Sequence, residues 1–190
     1  MKKIFIIEHL EPRLWKWCFI EYKHISKIVG RKNLFFTNIK NENDAEKLAD
    51  HGVVLKNSIK ELPLKNVCVL DPESDKTLTP KSAEKFEYFI FGGILGDYPP
   101  KKRTKKELTK FIKNSAVFNI GKKQMSTDNA VYTVKQIING KKLSDLKFRY
   151  KVSIPIKKGE CVDLPYLYNI VDEKPFMSPE IIKHLKKRGF

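Results

Sequence analysis

The sequence predicts an α/β fold with a largely parallel sheet. Apolar runs alternate with amphipathic stretches along most of the chain, the pattern of strands that return through helical crossovers. The runs Val67–Leu70 and Ala116–Ile120 are short and apolar throughout, which suits strands buried on both faces. Between Thr127 and Asn139, Ala130, Val131, Val134, Ile137 and Ile138 form one helical stripe, stopped by Asn139-Gly140.

The elements follow in order. Lys3–Ile7 reads as the first strand. Leu14–Val29 reads as a helix, with Pro12 near its first turn and Gly30 at its end. Leu34–Thr37 is a short strand, and Asn41–Asp50 a polar helix followed by Gly52. After the strand Val67–Leu70, Thr79–Lys85 gives a helical turn and Glu87–Phe91 a strand. Thr104 and Glu107 have capping-box spacing and open a helix over 104–113, with Leu108, Phe111 and Ile112 on one face. Strand Ala116–Ile120 and helix Thr127–Asn139 complete a core over residues 1–140. Residues 141–190 change character and form an extension packed on that core. "FRYKVSIPI" and "CVDLPYLYNIV" read as a hairpin joined by "KKGE", with Pro155 and Pro165 at edges, and a final helix opens at Ser178 and ends near Gly189.

Composition bounds the function. The 190 residues, 41% hydrophobic, suffice for one domain with a modest extension. The 38 Lys and Arg against 22 Asp and Glu leave a net charge of +16, suited to polyanions such as RNA or the ribosome; a lysine-rich solvated surface is the plainer reading. No apolar run approaches the roughly 20 residues that span a bilayer. The segment Ile4–Ile7 is too short for a signal-peptide core, so a cytoplasmic protein is expected. Cys18, Cys68 and Cys161 match neither a disulfide framework nor a CxxC site, and the four histidines have no metal spacing, so no metal is expected.

The segment "YFIFGGILGDYPPKKRT" carries the first chemistry. Five glycines and prolines fall within nine positions, directly after a strand. In a parallel sheet, ligands bind beyond the carboxyl ends of strands. Gly92, Gly93 and Gly96 permit positive φ and leave no Cβ to block a ligand, although plain turn chemistry is the commoner reason for glycines after a strand. Neither a dinucleotide nor a P-loop fingerprint is present. A second strand–loop–helix unit, "FNIGKKQMSTDNAVYTV", passes through Gly121 into a helix capped by the hydroxyl of Ser126 or Thr127, with Asp128 in its first turn.

Gly121-x-x-x-Met125-Ser126-Thr127-Asp128-Asn129-Ala130 resembles the signature that closes the SPOUT class of methyltransferases, commonly written Leu-Arg-Thr-Glu-Thr-Ala. Gly92–Asp97 sits where that class has its first glycine-rich cofactor loop. Together with "EHLEPRLWKWCFIEY" and "GGILGDYPPKKRT", the chain resembles a small SPOUT branch shared by archaea and eukaryotes. That branch includes a protein arginine methyltransferase acting on a ribosomal protein. The resemblance covers most of the chain. It implies a parallel sheet with helices on both faces, a C-terminal trefoil knot and S-adenosylmethionine as cofactor. By position, Gly92, Gly93, Leu95 and Gly96, then Asn119, Ile120 and Gly121, then Gln124, Met125, Ser126, Thr127, Asp128 and Asn129 surround it. Ser126 stands where the class has an arginine, so that arginine's catalytic role does not transfer. The class is commonly homodimeric, whereas an extension over 141–190 that covered the dimer surface would leave a monomer; the sequence leaves both states open.

Methyl transfer needs positioning more than acid–base chemistry. A guanidinium acceptor, with a pKa of roughly 12.5–13.8, needs carboxylates to orient it and take its proton. Asp97 beyond the loop is the first candidate and Glu8 at the end of the first strand the second. Glu21 is the third, because it interrupts the apolar face formed by Leu14, Trp17, Cys18, Ile25 and Ile28; an internal salt bridge explains it as well. Arg103 is placed to contact the cofactor carboxylate or an anionic substrate, or else belongs to a solvated basic face. Trp15, Trp17, Tyr166 and Tyr168 are expected to pack. The leading expectation is methylation of a ribosomal-protein arginine, the second methylation of rRNA or tRNA, and the third a non-catalytic ribosome- or RNA-binding protein.

Overall fold

The computed structural model describes residues 2–157 and 159–188. Six strands form one sheet in the order β3-β2-β1-β5-β4-β6. They are β1 (Ile4–His9), β2 (Leu34–Thr37), β3 (Val53–Val54), β4 (Val67–Leu70), β5 (Tyr88–Gly93) and β6 (Ala116–Phe118). Every pairing is parallel, so all six carboxyl ends lie at one edge. β3 is two residues long and gives no periodic signal to read in the sequence.

Alternation along the central strands supplies two cores. Phe5 and Ile7 of β1, Phe36, Phe89 and Phe91 face α1 (Lys16–Val29), α2 (Glu42–Ala49) and α4 (Thr127–Ile138), meeting Tyr22, Ile25, Leu48, Val131 and Val134. Ile4, Ile6, Val67, Val69 and Ile90 face the other way and are covered by Ile59 and Leu108. Both come from short helical turns, Ile59–Glu61 and Thr104–Leu108. A four-residue α3 (Pro80–Ala83) leads into β5.

The capping box expected at Thr104 and Glu107 does not form. Glu107 pairs with Arg103 instead, and the segment is one π-helical turn followed by a 3-10 turn over Thr109–Phe111. The change of pitch rotates Phe111 away from Leu108, leaving it 53% exposed beneath the Lys60 ammonium. Helix α1 begins at Lys16, so Pro12 and Leu14 lie in the preceding loop. Gly30 closes α1 with φ 83° and its N–H on Ser26 O.

The extension folds as a long antiparallel pair, β7 (Phe148–Lys157) and β8 (Glu160–Val171), with β9 (Lys174–Pro175) at one end. Pro165 falls where the β7–β8 register shifts, which spares the ladder its missing N–H. This sheet and α5 (Pro179–Arg188) bury Val152, Ile154, Leu164, Tyr168, Ile181 and Leu185 against Ile20 of α1. The expected helix end near Gly189 lies outside the described residues. No helix among the described residues is long and apolar enough to cross a membrane.

Candidate active site

Because the strands run in parallel, the loops leaving β4, β5 and β6 converge beyond one sheet edge. They enclose a cleft of about 170 Å³. Leu70–Glu73 form one wall, Phe91, Gly92, Ile94, Gly96 and Asp97 a second, and Ile120–Met125 a third, with Thr127 and Ala130 of α4 at the base. Residues 100–104 cross the opening. The two glycine-bearing loops expected from the sequence therefore face each other. Gly92, Gly96, Ile120, Gly121, Gln124, Met125 and Thr127 line this space, as do Asp97 and Arg103.

Asn119 stands behind the wall. It is buried, accepts from Gly121 N–H at 3.0 Å and donates to Ser74 O at 2.8 Å, tying the loops after β4 and β6 together. Leu95 packs on the core, and its N–H donates to Glu11 Oε1 at 2.9 Å.

Gly92, Gly93 and Gly96 do not use the left-handed region that the sequence suggested; among the glycines of these loops only Gly121 does, at φ 107°. They are small because protein neighbours press on them. A Cβ at Gly93 would meet the Tyr22 hydroxyl and Glu8 O, and one at Gly96 would meet the Gln124 amide and the Tyr166 ring.

Ser126, Asp128 and Asn129 turn away from the cleft towards α1 and the hairpin. The Ser126 hydroxyl does not cap α4; it donates to Asp128 Oδ1 at 2.6 Å. Asp128 Oδ2 lies 2.7 Å from His24 Nδ1. Asn129 is fully buried, takes Asn169 N–H at 2.9 Å and donates to Phe176 O at 3.0 Å, which fastens the extension to α4.

Glu21 lies between these layers. Trp17 Nε1 donates to its Oε1 at 2.8 Å, and Thr127, which also lines the cleft, approaches the same carboxylate. Burial, reinforced by the neighbouring Asp128 charge, pushes its pKa up to about 8, against the pull of the Trp17 and Thr127 contacts. Glu21 is thus a buried carboxyl separated from the cleft by Thr127 alone.

The other charged candidates have different surroundings. Asp97 Oδ1 sits 2.9 Å from Lys101 Nζ at the mouth. Glu8 is fully buried on the opposite face of the sheet, where it accepts from the Thr37 and Ser58 hydroxyls and Ile59 N–H. Three donors hold it there, and it does not line the cleft. Arg103 grips Glu107 through two nitrogens and Glu11 Oε1 at 2.7 Å, so its guanidinium locks residues 10–11 to the loop that follows β5.

A model of the family described as "Protein arginine N-methyltransferase SFM1-like" matches residues 4–189. The chain belongs to this SFM1-like family. Protein arginine N-methyltransferase SFM1 of Saccharomyces cerevisiae is 33% identical over 201 aligned residues, covering 96% of this chain and 94% of its own length. The crystal structure of the yeast arginine methyltransferase SFM1 complexed with SAM matches at TM-score 0.90 and 34% identity, over 98% of this chain and 91% of that one. A dual specific Trm10 from Thermococcus kodakaraensis matches at TM-score 0.58 and 22% identity, over 75% of this chain and 95% of that one; it shares the fold.

Within this SFM1-like site, three residues go beyond the site residues expected from the sequence. Asp71, buried at the end of β4, lines the cleft and takes Thr109 Oγ1–H at 2.7 Å. An acid immediately after the apolar run Val67–Leu70 is the available signal. Glu11 gives none, since its partners Leu95 and Arg103 are remote in sequence. Tyr166 is expected only to pack, yet its hydroxyl donates to Gly96 O at 2.9 Å.

Proposed function

We propose that the protein transfers the methyl group of S-adenosylmethionine to the guanidinium of an arginine in a ribosomal protein. Membership of the SFM1-like family supplies the enzyme class. The choice of a cationic acceptor is carried by Glu21, a buried carboxyl in contact with cleft-lining Thr127. The cleft suits the donor: Leu70, Phe91, Ile120 and Met125 offer apolar surface for a purine, and Asp71 and Glu73 offer acceptors for ribose hydroxyls. We read the facing loops 92–103 and 119–127 as the two sides of the trefoil threading.

The donor brings a methyl group on a sulfonium, already a good leaving group. The loops therefore have to align the methyl carbon with the acceptor nitrogen and exclude water. Glu21 and Asp97 orient the guanidinium and receive the proton that the nitrogen releases on methylation. Glu8 and Arg103 act at a distance, by holding Thr37–Ile59 and Glu11–Leu95 in place.

A second reading, methylation of RNA, is favoured by Lys101, Lys102, Lys122 and Lys123 around the cleft. Incubation with radiolabelled donor and separated ribosomal protein and RNA fractions decides between them. Label in protein arginine supports the proposal; label confined to RNA overturns it.

A further inference from the structure

The hairpin is fastened to the loops that line the cleft. Leu167 N–H donates to Gln124 O at 2.8 Å, and Leu167 bridges Met125 in parallel, so β8 is fastened to the back of the cleft-lining loop. Its neighbour Tyr166 is half-buried at the rim. The hydroxyl is fixed on Gly96 O at 2.9 Å, and ring carbon Cε1 stands 2.6 Å from the place of a Gly96 Cβ. Asp97 follows directly. Behind the ring, Tyr166 and Trp17 pack on the same apolar cluster, and the Trp17 indole holds Glu21. The phenol feels both sides: burial, then the charges of Glu21 and Asp97, raise its pKa. A cation already occupies the Asp97 end, since the Lys101 ammonium sits 2.9 Å from Oδ1.

We propose that Tyr166 is the specificity-determining wall of the acceptor slot, its ring face receiving the guanidinium between Glu21 and Asp97, with the Lys101 ammonium displaced. This rests on the arginine reading above and names the surface that selects the acceptor. A guanidinium is planar and weakly hydrated, so it stacks on an aromatic face while its edge meets carboxylates. An ammonium is compact and strongly hydrated, and gains less from the same slot.

The test uses the full chain saturated with S-adenosylhomocysteine, with N-acetyl-arginine amide and N-acetyl-lysine amide as calorimetric probes. The arginine probe binds and the lysine probe binds about tenfold more weakly or not at all. Tyr166→Leu weakens the arginine probe about tenfold while affinity for S-adenosylhomocysteine stays within about twofold. Tyr166→Phe, which keeps the ring, stays within about threefold of the parent for the arginine probe. In methylation of the ribosomal-protein fraction, Tyr166→Leu raises acceptor KM with kcat nearly unchanged. Unaltered probe binding in Tyr166→Leu overturns the proposal. So does a loss in Tyr166→Phe equal to that in Tyr166→Leu, or a parallel loss of S-adenosylhomocysteine. Label in protein with Tyr166→Leu fully active removes this slot alone, whereas label only in RNA removes the arginine reading.

Discussion

The Tyr22 hydroxyl fills the space that a side chain at Gly93 would need. The same hydroxyl is 2.9 Å from His9 Nδ1, so the end of β1, helix α1 and the end of β5 meet at one buried point. Backbone from Glu8 closes the remaining side. Gly93→Ala therefore forces strands apart in a close-packed region, costing about 1–3 kcal/mol. A fall in thermal midpoint, with a larger relative loss of S-adenosylhomocysteine affinity, is the expected result; an unchanged midpoint contradicts the packing described.

Glu21 gives the protein a pH signature. Its folded pKa, raised to about 8 from the ordinary glutamate value of 4.5, means the folded chain binds a proton that the unfolded chain releases. Stability from this group is therefore complete below the unfolded pKa and declines as pH rises towards 8, with a slope no steeper than about 1.4 kcal/mol per pH unit. Glu21→Gln removes that decline. Urea unfolding of both proteins between pH 5 and 8 checks it: parallel stability–pH curves would refute the assignment.

Activity should run the other way. An ionised Glu21 attracts the acceptor guanidinium, so kcat/KM for a ribosomal-protein acceptor rises with pH through the region near 8. In Glu21→Gln the value is at least about tenfold lower and the profile loses this limb. Rate measurements at saturating donor decide it, and wild-type activity in the variant excludes Glu21 from the site.

Arg103 ties the loop before α1 to the opening of the cleft through Glu11, with Glu107 holding the guanidinium in place. Lysine cannot reproduce this fork. Arg103→Lys is expected to weaken S-adenosylhomocysteine about five- to twentyfold, because Glu11 then holds Leu95 N–H without its second partner. Calorimetry measures the change; equal affinity would show that the loop stands without the clamp.

The three cysteines differ in access. Burial pushes the thiols of Cys18 and Cys68 up to about 12, while Cys161 lies exposed on β8. A thiol reagent at pH 8 should titrate one group rapidly in the native protein and three after unfolding. Fast reaction of more than one native thiol would place Cys18 or Cys68 nearer the surface.

Legibility followed the range of the interactions. Leu34–Thr37 and Val67–Leu70 are strands over the residues their apolar runs suggested, and α4 begins at Thr127, because periodicity and composition act within a few residues. Thr104–Lys113 misled for the same reason. Its local capping pattern was sound, but Arg103 drew Glu107 away, a choice reinforced by the distant Glu11. The glycines announced a special loop, but not through a positive φ: crowding by Tyr22, Gln124 and Tyr166 excludes a side chain at Gly93 and Gly96.

By itself the sequence determined the parallel α/β plan, the two glycine-bearing turns and the family resemblance, all written in short contiguous blocks. Tertiary structure alone decided which partners hold Glu8 and Glu21, and that Tyr166 reaches Gly96 across 70 positions and Asp128 reaches His24 across 104. Such pairs leave no local pattern, because their energy appears only when crossovers and the hairpin bring remote segments into one low-dielectric space.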